Sequence, residues 1–352
     1  MIIESIIFFV ALVFLVMGSD YFVKSAALIA ERFGVSEFVI GLTVVALGTS
    51  IPELASSIVA AIENETQIII GNVVGSNIAN IGLIVGVATV IRVMRTKREM
   101  VERDGHIMLF AGFLFLAFAI NGVISKIEAG ILLLFYLVYM AFLLEIKPEF
   151  KEQYNFRSFL RYFFRFKYLV TIKNKAFSIR DGRRKKNKEE VIRKFELGLL
   201  KDLFTLILGG AAVVLGAKYV VEEAIFFAEI FNVPSALIGI TLIAVGTSLP
   251  ELSVSIAAIR KGYANIAIGN IVGSNIANIF LIIGVSGLIV PLEVIKSILV
   301  YSMPIMIIMG IFLLIFIRSH WEIRRIEGIV FIGLYVLFII FLFITQKMPF
   351  FN

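Results

Sequence analysis

Long apolar runs separated by short polar breaks dominate the chain. Runs near residues 3–30, 36–61, 67–91, 105–122 and 127–146 precede a polar stretch, and runs near 197–228, 235–259, 265–290, 298–317 and 326–346 follow it. Each is close to or above the roughly 20 residues that a helix needs to cross a hydrocarbon core. The pattern therefore predicts ten transmembrane helices, five plus five. The short alternating strands of a membrane β-barrel are not seen. The fold class is that of an all-α polytopic membrane protein, with residues 1–146 as a first half, 147–196 as a loop and 197–352 as a second half. The opening MIIESIIFFVALVFLVMGSD has no basic segment ahead of its apolar run and carries Glu4 there instead, so it reads as a first span and not as a cleaved signal peptide.

The two halves repeat. A constant offset of 198 takes Gly18 to Gly216, Tyr21 to Tyr219, Glu31 to Glu229, Gly41 to Gly239, Glu53 to Glu251 and Asn80 to Asn278. Between Gly71–Val87 and Gly269–Val285, only Val73, Gly82 and Val85 differ from their partners. An odd number of spans per repeat makes the second half enter the membrane with opposite polarity, the inverted-repeat plan of many secondary transporters. Charge patterning agrees. The breaks at 30–35, 92–104, 147–196, 260–263 and 318–325 hold 1, 5, 16, 2 and 3 Lys plus Arg, whereas the other side holds only Lys126, Lys296 and Lys347. The positive-inside rule then places 147–196 in the cytoplasm and both termini outside.

Composition narrows the class further. Of 352 residues, 60% are hydrophobic and 17% charged, and the mean hydropathy is +0.99, as expected of a protein embedded in lipid. The absence of cysteine excludes disulfides, thiolate metal sites and thiol redox chemistry. His106 and His320 sit beside charged clusters and read as solvated residues in loops at helix ends. The loop 147–196 carries 16 basic and 6 acidic residues against a net charge of +7 for the whole chain. Its RSFLRYFFRFKYLV at 157–170 interleaves arginine with aromatics and suits an anionic inner leaflet. RRKKNKEE at 183–190 reads as solvated and mobile. A juxtamembrane anchor is the plainer reading of the loop and a regulatory arm the sharper one; nucleic-acid binding is disfavoured for a segment tethered between spans.

Within the apolar runs stand GTSIPE at 48–53 and GTSLPE at 246–251. An acidic residue at membrane depth costs at least about 2.5–3.5 kcal/mol and marks function by default. Pro52 and Pro250 cannot donate to the carbonyls of Gly48 and Gly246, so each helix should loosen just before its glutamate. Thr49 and Ser50 lie four and three residues before Glu53, on one helix face, and Thr247 and Ser248 repeat that spacing before Glu251. Two carboxylates with freed carbonyls supply the hard oxygen donors that Ca²⁺ takes in sets of about six to eight. A second motif, GNVVGSNIANIG at 71–82 and GNIVGSNIANIF at 269–280, puts Ser76 with Asn80, and Ser274 with Asn278, four apart on one face. The bland alternative for its glycines is close helix packing through Gly71 and Gly75, and Gly269 and Gly273. For the glutamates the bland alternative is a protonated acid that serves as a packing hydrogen bond. Asp20, Lys24, Lys218 and Glu222 read as interfacial charges and not as ligands.

These paired motifs resemble the α-repeats of the cation/calcium exchanger superfamily, and within it the prokaryotic Na⁺/Ca²⁺ exchangers. The resemblance implies an antiporter with transported Ca²⁺ and Na⁺, no cofactor and no enzymatic activity. Its ion sites would lie between the second, third, seventh and eighth helices, and the long first and sixth helices would slide across this core. Carried onto this chain, Glu53 and Glu251 bridge Ca²⁺ with the carbonyls of Thr49 and Thr247. Sodium takes Ala46, Thr49, Ser50 and Ser76 on one side and Ala244, Thr247, Ser248 and Ser274 on the other, while Asn80 and Asn278 face a central position. The chain departs from the family's pattern at Asn278, where relatives carry aspartate, and this bears on stoichiometry and on the coupling ion. A Ca²⁺/H⁺ exchanger is the nearest alternative. A passive cation channel is less favoured because the repeat is inverted, and an intramembrane enzyme lacks a nucleophile, phosphate loop or histidine set.

Overall fold

The computed structural model describes residues 2–33, 35–96, 98, 100–145, 155–168, 189–230, 246 and 248–346. Helix α1 (Ile2–Phe33) is followed by α2 (Glu37–Thr49) and α3 (Ile51–Ile62), a pair bent by 46°. Next come α4 (Thr66–Ile91), α5 (His106–Ala119) behind a π-helical turn Met100–Gly105, and α6 (Lys126–Glu145). A short α7 (Phe156–Phe164) lies between the halves. The second half holds α8 (Glu189–Ile230), α9 (Leu249–Arg260), α10 (Ala264–Ile289), α11 (Met303–His320) behind a π-turn Ile298–Ser302, and α12 (Arg325–Gln346). Seven helices among the described residues are long and apolar enough to cross a membrane, or up to eight if the bent pair is one span. Of the two remaining predicted spans, 105–122 has a 14-residue helix behind a charged π-turn, and most of 235–248 lies outside the described residues.

Local chemistry sets the helix ends. Ser125 and Glu128 form a capping box at α6: the Ser125 N–H donates to Glu128 Oε2 at 2.8 Å and the Glu128 N–H to Ser125 Oγ at 3.3 Å. Asn155 caps α7 by accepting from the Ser158 N–H at 3.0 Å. The turn after α5 closes on Gly122 and that after α9 on Gly262, both at positive φ where a side chain is strained. Two-residue strands then tie the halves together. β1 (Met94–Arg95) pairs antiparallel with β4 (Glu322–Ile323), and β2 (Val123–Ile124) with β3 (Leu292–Glu293).

The two long helices α1 and α8 pack along each other with their main chains in contact. A Cβ added at Gly18 would lie 2.9 Å from Ala212 Cβ, one at Gly209 2.9 Å from Phe22 N, and one at Gly216 2.6 Å from Leu15 N. Arg32 Nε at the end of α1 also reaches Asp202 Oδ2 on α8 at 2.5 Å. Their outer faces, with Ile3, Phe9 and Val13 on α1 and Leu200, Phe204 and Ile207 on α8, are exposed and apolar, as lipid contact requires. The deeper layer is α10, whose Gly269 and Gly273 let it touch the main chain of α2: added Cβ atoms would lie 2.5 Å from Phe38 O and 2.6 Å from Leu42 O. Around Gly71 and Gly75, no described atom lies within 4 Å of an added Cβ.

Several loop assignments change. Residues 92–104 are not all loop: Arg103 and Asp104 are buried in the π-turn before α5, where Arg103 Nη2 lies 2.8 Å from Asp104 Oδ2 and Tyr139 Oη donates to Asp104 Oδ1 at 2.8 Å. A paired, hydrogen-bonded charge is tolerated where an isolated one is not. His106 is exposed but opens α5, so it is no loop residue; its Nδ1 lies 2.5 Å from Val101 O, and its ring stacks near Phe156. The sixth helix begins at Glu189 instead of 197, so Glu189 and Glu190 are helical, while 183–188 lie outside the described residues. The aromatic face of α7 docks on the protein: Phe159 and Tyr162 are buried, and Phe163 stacks on Phe135 of α6 at 4.3 Å. His320 is exposed, as read from the sequence, but it is the last residue of α11 and so is no loop residue either.

Candidate functional site

The break between α2 and α3 falls at Ser50 (φ −87°, ψ 8°), with Pro52 in the first turn of α3 and Glu53 just behind it. The same order recurs at Ser248 (φ −92°, ψ 5°), Pro250 and Glu251 at the start of α9. Proline thus does what its missing N–H dictates: it ends one hydrogen-bond ladder and starts another. Each glutamate then sits at a helix N-terminus, where the dipole favours negative charge.

Both glutamates are buried, at 2% exposure each, and within electrostatic reach of one another. No lysine, arginine or histidine among the described residues pairs with either. Ser50 Oγ lies 3.2 Å from Glu251 Oε1 and 3.1 Å from Ser274 Oγ, and its one hydrogen serves one of them at a time. This contact brings the first-half motif onto the second. Six buried oxygens, Glu53 Oε1 and Oε2, Glu251 Oε2, Asn80 Oδ1, Asn278 Oδ1 and Ser248 Oγ, have no hydrogen-bond partner among the described residues. A buried carboxylate without donors costs several kcal/mol, so this set of acceptors calls for a cation or for protons. No group of three or more His, Cys, Asp or Glu side chains converges among the described residues; at Glu251 the polar neighbours are the Ser50 and Ser274 hydroxyls.

The other predicted positions divide. Ala46, Thr49, Ser76 and Ser274 are buried beside the break and along α4 and α10. The Thr49 hydroxyl turns back toward Val45 O and Ala46 O at 3.2 Å each, with Asn270 Oδ1 at 3.1 Å. Ser76 Oγ lies 3.5 Å from Asn72 Oδ1. Ala244 and Thr247 lie outside the described residues. Asp20 and Lys218 stand away from this set: Lys261 Nζ meets Asp20 Oδ2 at 3.4 Å, and Lys218 pairs with Glu222 at 3.6 Å.

Three features escape a reading by motif. Asn80 and Asn278 each open a π-helical turn, Asn80–Val85 and Asn278–Ile282, a wide turn that often marks functional sites. Asn270 holds Thr49 on one side and donates to Ser255 Oγ at 3.2 Å on the other. Asn77 and Asn275 contact the amides of Asn278 and Asn80 across the halves. The repeat offset contained the signal for these asparagines, since 72 with 270 and 77 with 275 are identical pairs inside apolar helices.

Fold and site together define a polytopic membrane protein with a duplicated, buried motif rich in acidic, hydroxyl and amide oxygens. The family model of the sodium/calcium exchanger protein family matches residues 4–145 and 201–344, and the chain belongs to that family. Among its relatives, the sodium/calcium exchanger MaX1 of Methanosarcina acetivorans is 52% identical over 97% of this chain and 99% of its own length. The inner membrane protein YrbG of Escherichia coli is 29% identical over 84% of this chain and 82% of its own. A solved structure of the sodium-calcium exchanger NCX_Mj, soaked with zero Na⁺ and Ca²⁺, superposes with a TM-score of 0.73 at 31% identity, covering 97% of this chain and 99% of that one.

Proposed function

We propose that this protein exchanges Na⁺ for Ca²⁺ across the membrane by alternating access. The observation that carries the proposal is the pair of buried glutamates, one from each half, without basic partners among the described residues and joined to the other half's motif through Ser50 Oγ, 3.2 Å from Glu251 Oε1. MaX1 and NCX_Mj, similar over nearly their whole length, are named as exchangers of these two ions. Glu53 and Glu251 bind Ca²⁺ with the carbonyls of Thr49 and Thr247. Na⁺ uses Ala46, Thr49, Ser50 and Ser76, and, in the second half, Ala244, Thr247, Ser248 and Ser274. The amide oxygens of Asn80 and Asn278 complete the centre.

Charge counting supplies the mechanism. Two ionised glutamates balance one Ca²⁺ or two Na⁺, so a loaded core is near neutral. An empty core carries two uncompensated charges in low dielectric and resists changing its access. Transport is therefore obligatory exchange. The fold of this reading has ten spans in two inverted five-helix halves, both termini outside and 147–196 in the cytoplasm. Support comes from the strand pairs, each of which joins one half to the other. Single cysteines introduced into this cysteine-free chain at the exposed positions 63 and 121 should label from outside, and one at 260 only in inside-out membranes; the opposite pattern would refute that topology. On α7 and the turn that follows it, the exposed Arg157, Arg161 and Arg165 beside exposed Phe164 and Phe166 suit an anionic leaflet.

The test is radioactive Ca²⁺ uptake into proteoliposomes loaded with Na⁺, against Na⁺-free vesicles and a pH gradient alone. Uptake that requires internal Na⁺ is expected. Uptake driven by the pH gradient alone would make the protein a Ca²⁺/H⁺ exchanger, and flux without any counter-ion would make it a channel.

A further inference from the structure

Asn80 and Asn278 can offer a cation either an oxygen or an NH₂ group, and only the oxygen is useful. What decides between them lies in the opposite half. Asn278 Nδ2 donates to Asn77 Oδ1 at 2.9 Å, and Asn80 Nδ2 donates to Asn275 Oδ1 at 3.0 Å. With the nitrogens so engaged, Oδ1 of both Asn80 and Asn278 is left buried without a hydrogen-bond partner among the described residues. Asn77 and Asn275 are in turn oriented by acceptors that cannot donate. Asn77 Nδ2 faces the Asn275 main-chain oxygen at 3.4 Å and Met306 Sδ at 3.6 Å, and Asn275 Nδ2 faces Met108 Sδ at 3.6 Å. A thioether and a carbonyl accept only, so either amide turned the other way would set oxygen against acceptor. All four amides are buried, where a mismatched pair costs most.

We infer that Asn77 and Asn275 are positioning residues that work crosswise, Asn77 fixing the amide of Asn278 and Asn275 that of Asn80, so that both present oxygen to the transported cation. The relay runs from Met306 through Asn77 to Asn278, and from Met108 through Asn275 to Asn80. Each line starts and ends in the second or first half and passes through the other. Removal of Asn77 Oδ1 frees Asn278 to turn its NH₂ toward the cation, and apparent Ca²⁺ affinity falls while the ligand itself is still present. This inference rests on the reading of Asn80 and Asn278 as cation ligands.

The experiment is Na⁺-dependent Ca²⁺ uptake by the full-length protein in proteoliposomes, with half-saturating Ca²⁺ and maximal rate determined separately. Asn77→Leu and Asn275→Leu keep the branched shape and the number of heavy atoms but remove both the acceptor and the donor. Each should raise half-saturating Ca²⁺ about three- to tenfold, the size of one buried hydrogen bond, with a smaller effect on maximal rate. Asn77→Asp keeps an oxygen for Asn278 but sets its second oxygen against Asn275 O and Met306 Sδ, so it should recover the loss only at acidic pH, where the new carboxyl carries a proton. The double variants give the deciding readout. Asn77→Leu should add less than about twofold to Asn278→Ala but multiply fully with Asn80→Ala; Asn275→Leu should do the reverse. Full multiplication within the Asn77 and Asn278 pair, or coupling of Asn77 to Asn80 on its own helix, overturns the inference and leaves the ion site standing. Unchanged Ca²⁺ dependence in Asn80→Ala and Asn278→Ala removes the ligand assignment, and the inference with it. If Asn77→Leu does not reach the membrane, Asn275→Leu and its own cycle carry the same test.

Discussion

At the scale of single residues, the glutamates set the charge and the asparagines set the polarity around it. Glu53→Gln or Glu251→Gln replaces an oxygen anion with a group that points hydrogens at the cation. Ca²⁺ uptake should drop by at least about 100-fold, since breaking a buried charge pair costs about 3–5 kcal/mol, while membrane expression is retained. Native-like uptake by either variant, measured in the same vesicles, would refute the site. N278D places an oxygen 2.9 Å from Asn77 Oδ1, a contact that is favourable only while the new carboxyl carries a proton. Exchange by N278D should therefore be nearest to native at acidic pH and diverge as pH rises, in uptake assays across a pH series; a profile parallel to the native one would show that position 278 does not meet Asn77. The glutamates and the first asparagine pair were legible in the sequence because an acid or amide in an apolar run needs a reason. The roles of Asn77, Asn275 and Asn270 were not, because the partners Asn278, Asn80 and Thr49 lie roughly 200 residues away, and nothing short of the folded packing says which amide faces which.

At the scale of elements, the period of apolar residues located most helices to within a few positions, and proline located the break at Ser50. The π-turns at Asn80 and Asn278 were hidden, since one extra residue in a turn leaves no trace in hydropathy. The helix α7 was hidden for another reason: its arginines made it look like a surface segment, whereas its aromatic face is covered by α6. Phe159→Ala removes a fully buried ring that also meets Tyr139 and Phe142 at 6.1 and 5.6 Å. At about 3–5 kcal/mol for such a truncation, α7 should detach while the remaining helices stay folded. Limited trypsin digestion should then cleave at Arg157, Arg161 and Arg165 much faster than in the native protein, with gel filtration unchanged; equal cleavage rates would mean that Phe159 does not hold the helix. Gly269→Ala works on the opposite principle, because its Cβ would sit 2.5 Å from Phe38 O and 3.0 Å from Gly41 Cα. Forcing α2 and α10 apart should cost about 1–3 kcal/mol and lower the melting temperature in detergent.

At the scale of the whole molecule, the halves are joined by contacts that cross between them: two strand pairs, Ser50 with Glu251, and the amides of α4 with those of α10. If three Na⁺ leave for each Ca²⁺ that enters, one net positive charge moves outward per cycle. An inside-positive potential across Na⁺-loaded vesicles should then accelerate Ca²⁺ uptake and an inside-negative one should slow it; uptake indifferent to a valinomycin-set potential would mean neutral exchange. Joined halves leave α1 and α8 as the outer layer, and their length has a consequence beyond the protein. At 1.5 Å per residue, the 32 residues of α1 extend about 48 Å and the 42 of α8 about 63 Å, against a hydrocarbon core of about 30 Å. Helices so much longer than the oil they cross must lean or project, and how far they lean depends on the thickness of that oil. With lipid on one side and the helices that carry the proposed cation site on the other, a change in lean would shift the walls of that site. The turnover of reconstituted protein should accordingly pass through a maximum as acyl chains are lengthened from 14 to 22 carbons, which would make the membrane itself one of the reactants in the transport cycle.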